Sequence, residues 1–196
     1  MLFLYIIASY LIGSIPFGFI LAKIKGIDIR QYGSGNIGAT NVWRTVGPGA
    51  GLAVLALDAA KGAAAVFIGR QAGIEGLELL TGIAALVGHA FPIYLGFKGG
   101  KIIATGAGVL LALAPPVLLI ALTVFLTAVL LSRYVSLGSV CAALSVPLTM
   151  FLLNYSLPYK IFGGIVCLFA VLKHIPNIKR LIQGTESKIS FNAKKN

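Results

Sequence analysis

Apolar residues in this chain come in unbroken runs, several of which reach the roughly 20 residues a helix needs to cross about 30 Å of hydrocarbon. They cover Leu2 to Ala22, Gly49 to Gly69, Leu77 to Leu95, Ile102 to Ala114, Pro116 to Leu131, Leu137 to Leu153 and Pro158 to Leu172. Inside a bilayer a segment must satisfy its own backbone hydrogen bonds, which leaves helices and closed barrels. A barrel would alternate apolar and polar residues over roughly ten-residue segments, whereas these runs are contiguous. The expectation is an all-α, polytopic bundle of about seven transmembrane helices, forming a single membrane-embedded domain over residues 1–196. With 58% hydrophobic and 11% charged residues, the chain is far more apolar than an average soluble domain. The fourth run is the exception, because about 13 residues of helix reach only about 20 Å and Pro115-Pro116 ends it.

Charge orients the bundle. The net charge of +11 would suggest nucleic acid in a soluble protein, but in a spanning protein Lys and Arg collect in the short cytoplasmic loops. Lys23, Lys25, Arg30, Arg44, Lys98, Lys101, Arg133, Lys173, Lys179, Arg180, Lys188, Lys194 and Lys195 all fall on one side of the seven-helix layout, against Arg70 and Lys160 on the other and Lys61 within a helix. The amino terminus is expected outside, and the carboxyl terminus, with a tail over 174–196, in the cytoplasm. The first run has its basic residues after it, the reverse of a secretory signal, so it is expected to stay as a helix. Orientation and phosphate ligation account for the charge, and nucleic-acid binding has no separate support.

The polar segments form four groups on the expected cytoplasmic face. The first, Gly33-Ser34-Gly35-Asn36-Ile37-Gly38-Ala39-Thr40-Asn41, formally contains a dinucleotide fingerprint, with Asp58 at the right distance. That fingerprint requires a preceding strand and a βαβ unit, and a membrane helix precedes it here. Closely spaced glycines can still turn backbone N–H groups into one concavity, an anion nest, to which Ser34, Asn36, Thr40, Asn41 and Arg44 add donors. The second group, Phe97-Lys98-Gly99-Gly100-Lys101, opens the short fourth helix, whose N-terminal N–H groups and dipole favour phosphate. Its glycine spacing and Ile102 in place of Ser or Thr rule out a nucleotide P-loop.

Arg133 to Ser139 is the third group, in which Ser136 or Ser139 supplies hydroxyls or caps the next helix. The fourth, His174 to Lys188, brings His174, Asn177, Arg180 and Glu186 directly after the last helix; Glu186 can neutralise an arginine or tie the tail down. Asp58 and Lys61, at i and i+3, read as a structural ion pair in lipid, and His89 as a hydrogen-bonded packing residue. Cys141 and Cys167 lie in apolar runs and read as small buried residues. Two histidines and five carboxylates offer no metal site.

Taken together these segments resemble the PlsY family of bacterial acyl-phosphate:glycerol-3-phosphate acyltransferases. The resemblance is carried by GSGNIGATNVWR (Gly33 to Arg44), GHAFPIYLGFKGGKIIAT (Gly88 to Thr105), RYVSLGS (Arg133 to Ser139) and HIPNIKRLIQGTESK (His174 to Lys188). The family's loop commonly reads KGGKGVAT, and this chain departs from it at Ile102. The resemblance implies transfer of a fatty acyl group from acyl phosphate to the 1-hydroxyl of glycerol 3-phosphate at the bacterial cytoplasmic membrane. The active site would face the cytoplasm, with no cofactor and no obligatory protein partner; membrane lipid and the two substrates are the expected partners. It implies His174, Asn177 and Ser139 as catalytic residues. Gly33, Ser34, Gly35, Asn36, Gly38, Thr40, Asn41, Arg44, Lys98, Gly99, Gly100 and Lys101 would bind phosphate, supported by Asp58, Lys61, Arg180 and Glu186. A transporter of phosphate or an anionic metabolite would also use glycine-rich breaks, but near the bilayer midplane, whereas these donors cluster on one side.

Overall fold

The structure is a computed structural model that describes residues 1–189; Lys194 and Lys195 and the end of the expected tail lie outside the described residues. Every described regular element is helical. Six segments are long and apolar enough to cross a membrane: Leu2–Ile24, Pro48–Gln71, Leu77–Leu95, Pro115–Ser132, Val135–Leu152 and Leu157–Ile182. A shorter apolar helix, Ile103–Leu113, stands between the third and fourth. Large side chains such as Phe3, Leu130, Leu131, Phe151 and Leu168 are exposed along these segments, a pattern that water would punish and lipid tails accept.

The chain forms two compact units, Met1–Pro115 and a second beginning at Pro116. In the first, the expected single helix over Leu2 to Ala22 is two helices, α1 (Leu2–Ser14) and α2 (Phe17–Ile24). Pro16 is the reason: it has no N–H to give, and it pushes Ile15 into extended backbone at ψ 116°. The Ile15 carbonyl left at the break accepts the Lys61 ammonium at 2.8 Å. After a 3₁₀ turn at Ile29–Gln31 come α3 (Ala39–Thr45), α4 (Pro48–Gln71), α5 (Leu77–Ala90), a second 3₁₀ turn at Ile93–Leu95 and α6 (Ile103–Leu113).

These helices meet backbone to backbone. A Cβ on Gly13 of α1 would enter the backbone of Ala85 on α5, and one on Gly88 would strike the Tyr10 carbonyl. Close approach at small residues is how helices associate in lipid, where apolar burial supplies no drive. Gly62 of α4 is pressed on the Thr105 carbonyl and Gly108 of α6 on that of Ala59, while Arg70 Nη2 donates to the Ala112 carbonyl at 2.6 Å. The short α6 thus lies along the later half of α4 and ends level with its last turn. Between α2 and α4, Ala22, Ile29, Ile37, Val42 and Val54 form a small buried core that anchors the loop preceding α3.

The second unit holds α7 (Pro115–Ser132) from Pro116 on, α8 (Val135–Leu152) and α9 (Leu157–Ile182). Gly138 of α8 abuts Phe125 and Val129 of α7, and Gly163 of α9 abuts Met150 of α8. The last helix runs ten residues past the expected end at Leu172. Hydropathy falls there because Lys173, His174 and Asn177 are polar, but helix propensity does not follow membrane affinity, and the helix continues through Pro176. His174, Asn177 and Arg180 therefore stand on a helix, not in a tail that follows it.

Candidate active site

In the first unit the glycine-rich segment before α3 is organised by one side chain. Asn41, buried in the first turn of α3, donates through Nδ2 to the carbonyls of Asn36 at 2.9 Å, Tyr32 at 3.0 Å and Ile29 at 3.3 Å. Its Oδ1 accepts the Ser34 N–H at 3.1 Å. Gly33 and Gly35 take φ of 58° and 68°, a left-handed backbone glycine adopts without penalty, and a Cβ on Gly33 would collide with Asn41 Oδ1. Asn36 closes a tighter turn, its Oδ1 accepting Gly38 N–H at 2.9 Å. These two amides hold the loop in shape. Ser34 and Arg44 are exposed, and Thr40 is half-buried.

The second glycine segment joins the first. Asn36 Nδ2 donates to the Gly99 carbonyl at 3.4 Å, so two stretches 63 residues apart come together. Gly100 N–H is tied to the His89 carbonyl at 2.9 Å. Lys98 is exposed and Lys101 half-buried. The helix begins at Ile103, two residues later than Lys101, and its N-cap is Ile102 at φ 65°. The position where this chain departs from the family's glycine is thus a left-handed one. Asp58 and Lys61 pair as expected, Oδ1 to Nζ 2.7 Å with both side chains almost fully buried, and His89 Nδ1 lies 3.6 Å from the same carboxylate oxygen.

In the second unit Glu186 is the organiser. Its Oε1 accepts Ser136 Oγ and Asn177 Nδ2, each at 2.7 Å, and its Oε2 accepts Arg180 Nε at 2.7 Å. Burial alone would raise this carboxyl's pKa, but the bonds from Ser136, Asn177 and Arg180 outweigh it and hold the group below its ordinary 4.5. The segment after α9 is strapped back onto α8, with Ile189 N–H donating to the Arg133 carbonyl at 2.8 Å and the Lys188 ammonium 5.3 Å from the centre of the Tyr134 ring. Neither serine caps α8: Tyr134 is the N-cap, Ser136 serves Glu186, and Ser139 Oγ donates to the Val135 carbonyl at 2.9 Å. His174 Nδ1 stands 2.8 Å from the Ala170 carbonyl. A carbonyl only accepts, so Nδ1 carries the proton and Nε2 is the basic nitrogen of the neutral ring.

Sequence reasoning missed Asn41 as loop organiser and the Pro16 break that gives Lys61 its carbonyl. The Pro was a visible signal, whereas the three carbonyls around Asn41 were not.

An all-helical membrane protein with two joined glycine loops, lysines beside one and an arginine beside the other, belongs among membrane proteins that handle anionic groups. The chain belongs to the glycerol-3-phosphate acyltransferase family, whose model matches residues 3–184. A glycerol-3-phosphate acyltransferase of Desulforamulus reducens is 58% identical over 94% of this chain and 93% of its own length, and one of Desulforudis audaxviator 55% identical over 93% of each. Among solved structures, PlsY, an integral membrane glycerol 3-phosphate acyltransferase, in its glycerol 3-phosphate form superposes with a TM-score of 0.93 at 38% identity over 96% of both chains. Its lysophosphatidic acid form gives 0.90. The chain is accordingly an integral membrane protein with several apolar helices.

Proposed function

We propose that this chain moves a fatty acyl group from acyl phosphate to the 1-hydroxyl of glycerol 3-phosphate, an opening step of phospholipid synthesis. The hydroxyl oxygen bonds to the acyl carbon, the bond from that carbon to the phosphate oxygen breaks, and 1-acylglycerol 3-phosphate and inorganic phosphate leave. The observation that carries this reading is the match over 96% of the chain to a solved acyltransferase recorded with glycerol 3-phosphate. The donor is a mixed anhydride with a good leaving group, so positioning and charge stabilisation carry most of the rate, and no covalent enzyme intermediate is required.

The joined loops of the first unit, Gly33 to Asn41 with Gly99 and Gly100, are assigned to the acyl-phosphate headgroup. Asn36 and Asn41 shape that loop, Ser34 and Thr40 add hydroxyls and Lys98 adds charge. Arg44 and Lys101 are assigned to the phosphate of glycerol 3-phosphate. In the second unit His174, Asn177 and Ser139 are the proposed catalytic residues, with Arg180 and Glu186 supporting Asn177. Residues 1–196 act as one acyltransferase domain in the bacterial cytoplasmic membrane, amino terminus outside and carboxyl terminus inside, with the chemistry on the cytoplasmic side. The one-sided run of Lys and Arg supports that orientation.

The test is purified protein in detergent with a long-chain acyl phosphate and glycerol 3-phosphate. Lysophosphatidate and phosphate should form in equal amounts; a transporter would form neither. His174→Gln then locates the proton. A fall in kcat with little change in KM assigns it to Nε2, and a pure KM effect assigns it to a substrate phosphate oxygen.

A further inference from the structure

Asp58 stands near the middle of α4, separated by the His89 ring from the glycine loop assigned to phosphate, and its ion pair with Lys61 has so far been given only a structural role. Stability alone is a weak reason for it. Taking two charges out of water is expensive, and apolar replacements of buried pairs are often neutral or better. Intramembrane ionisable groups are more often tied to function. The surroundings of this carboxylate say to which part.

One oxygen of Asp58 faces both Lys61 Nζ at 2.7 Å and His89 Nδ1 at 3.6 Å. The opposite edge of the His89 ring faces the glycine loop: a Cβ built on Gly100 would land on Nε2, with Cε1 and Cδ2 next nearest. The His89 carbonyl takes the Gly100 N–H at 2.9 Å, and a Cβ on Gly99 would strike that same carbonyl and the Pro92 ring. Gly99 and Gly100 therefore rest on His89, main chain and ring together, with no room for a side chain between. Gly99 in turn holds Asn36 of the other loop. On its far side the cluster is fastened by Lys61 to the Ile15 carbonyl at the Pro16 break. A carboxylate behind a histidine fixes the ring's orientation, and here the ring is the floor under the loop.

We infer that Asp58 is a positioning residue for phosphate binding: acting through His89, which also holds the Gly100 N–H, it sets where the Gly99–Gly100 backbone lies and so where the loop meets the phosphate. This rests on the assignment of that loop to a substrate phosphate. Lys61 pairs with the buried carboxylate and bonds the Ile15 carbonyl, away from the loop. Misplacement of a binding group by about 1 Å can cost about 100-fold in rate, so a change at Asp58 should be read in binding of one substrate and not in folding alone.

The experiment compares steady-state kinetics of full-length Gly99→Ala, Asp58→Asn and the double variant Asp58→Asn/Lys61→Met, purified in detergent, with a long-chain acyl phosphate and glycerol 3-phosphate varied separately. The double variant removes both charges, so no lone ammonium is left in lipid if the single one fails to fold. Gly99→Ala identifies which substrate's KM the loop controls. The expected result is that the double variant, eluting as a monodisperse species, raises that same KM by about tenfold while kcat changes by less than about threefold and the other KM stays put. Parental values of both KM in the double variant, or a drop in kcat alone matching a smaller active fraction, overturns the inference while leaving the loop assignment standing. If Gly99→Ala itself moves neither KM, the loop is not a phosphate site and the inference falls with it.

Discussion

Ile102 is a β-branched residue at φ 65°, and its side chain is 1% exposed. The two facts pull in opposite directions. Left-handed backbone at a non-glycine residue stores about 1–3 kcal/mol, which a glycine, the family's common choice, would release. Deleting a fully buried aliphatic side chain costs about 2–5 kcal/mol through lost burial and a cavity. The second effect is larger, so Ile102→Gly should lower stability by about 2 kcal/mol despite relieving the backbone; a raised melting temperature in detergent would reverse that ranking. Glu186 offers a second single-residue test. Its pKa is lower in the folded protein than the ordinary 4.5, so its contribution is complete above about that pH and is lost as pH falls through the lowered folded value. Melting temperature should decline over that acid range, and Glu186→Gln should flatten the decline and lower the plateau at pH 7, since an amide cannot accept from Ser136, Asn177 and Arg180 at once with the strength of a carboxylate. Residue types in the motifs were legible in the sequence. Which of them face a ligand and which hold the loop was not, because Asn41 and Glu186 take their roles from partners that only the folded chain brings near.

At the scale of helices, the sequence located the apolar segments well because lipid imposes a single criterion on them. It misplaced the ends where a second criterion intervenes. Pro16 splits a run that is apolar throughout, and α9 continues past Leu172 because hydrogen bonding, not hydropathy, decides where a helix stops. Packing between helices depends on which glycines face a neighbour, and the chain supplies its own control. Gly88 of α5 lies against the Tyr10 carbonyl and the Ser14 amide nitrogen of α1, whereas Gly164 of α9 has open space around its missing Cβ. Gly88→Ala should force α1 and α5 apart and cost about 3 kcal/mol or more, beyond ordinary overpacking, since the obstacle is main chain. Gly164→Ala should be neutral or should stabilise by about 0.5–1 kcal/mol through helix propensity. Thermal unfolding of both in one detergent decides it, and equal melting temperatures would mean that the α1–α5 contact is not tight.

For the whole molecule the open quantity is how many times the chain crosses, and it turns on α6. Eleven residues give about 16 Å of helix, half a bilayer. Yet Arg70, in the last turn of α4, bonds the Ala112 carbonyl near the end of α6, and Ala59 and Gly62, midway along α4, touch its first turns. We predict from these contacts that the segment before α6 carries the chain along the first half of α4, so that the short helix completes a crossing. Single cysteines introduced after Cys141→Ala and Cys167→Ala can read this with a membrane-impermeant maleimide on sealed right-side-out vesicles. Within the first unit Glu75→Cys and Pro115→Cys should label from outside and Ser34→Cys only after permeabilisation. In the second unit Ser156→Cys should label outside and Gln183→Cys only after permeabilisation. If Pro115→Cys proves inaccessible until the vesicles open while Glu75→Cys labels at once, α6 turns back within the membrane and the crossing argued from Arg70 is lost. The basic residues sort to one side only if α6 crosses, so the same result would also remove the charge argument for the orientation of the carboxyl end.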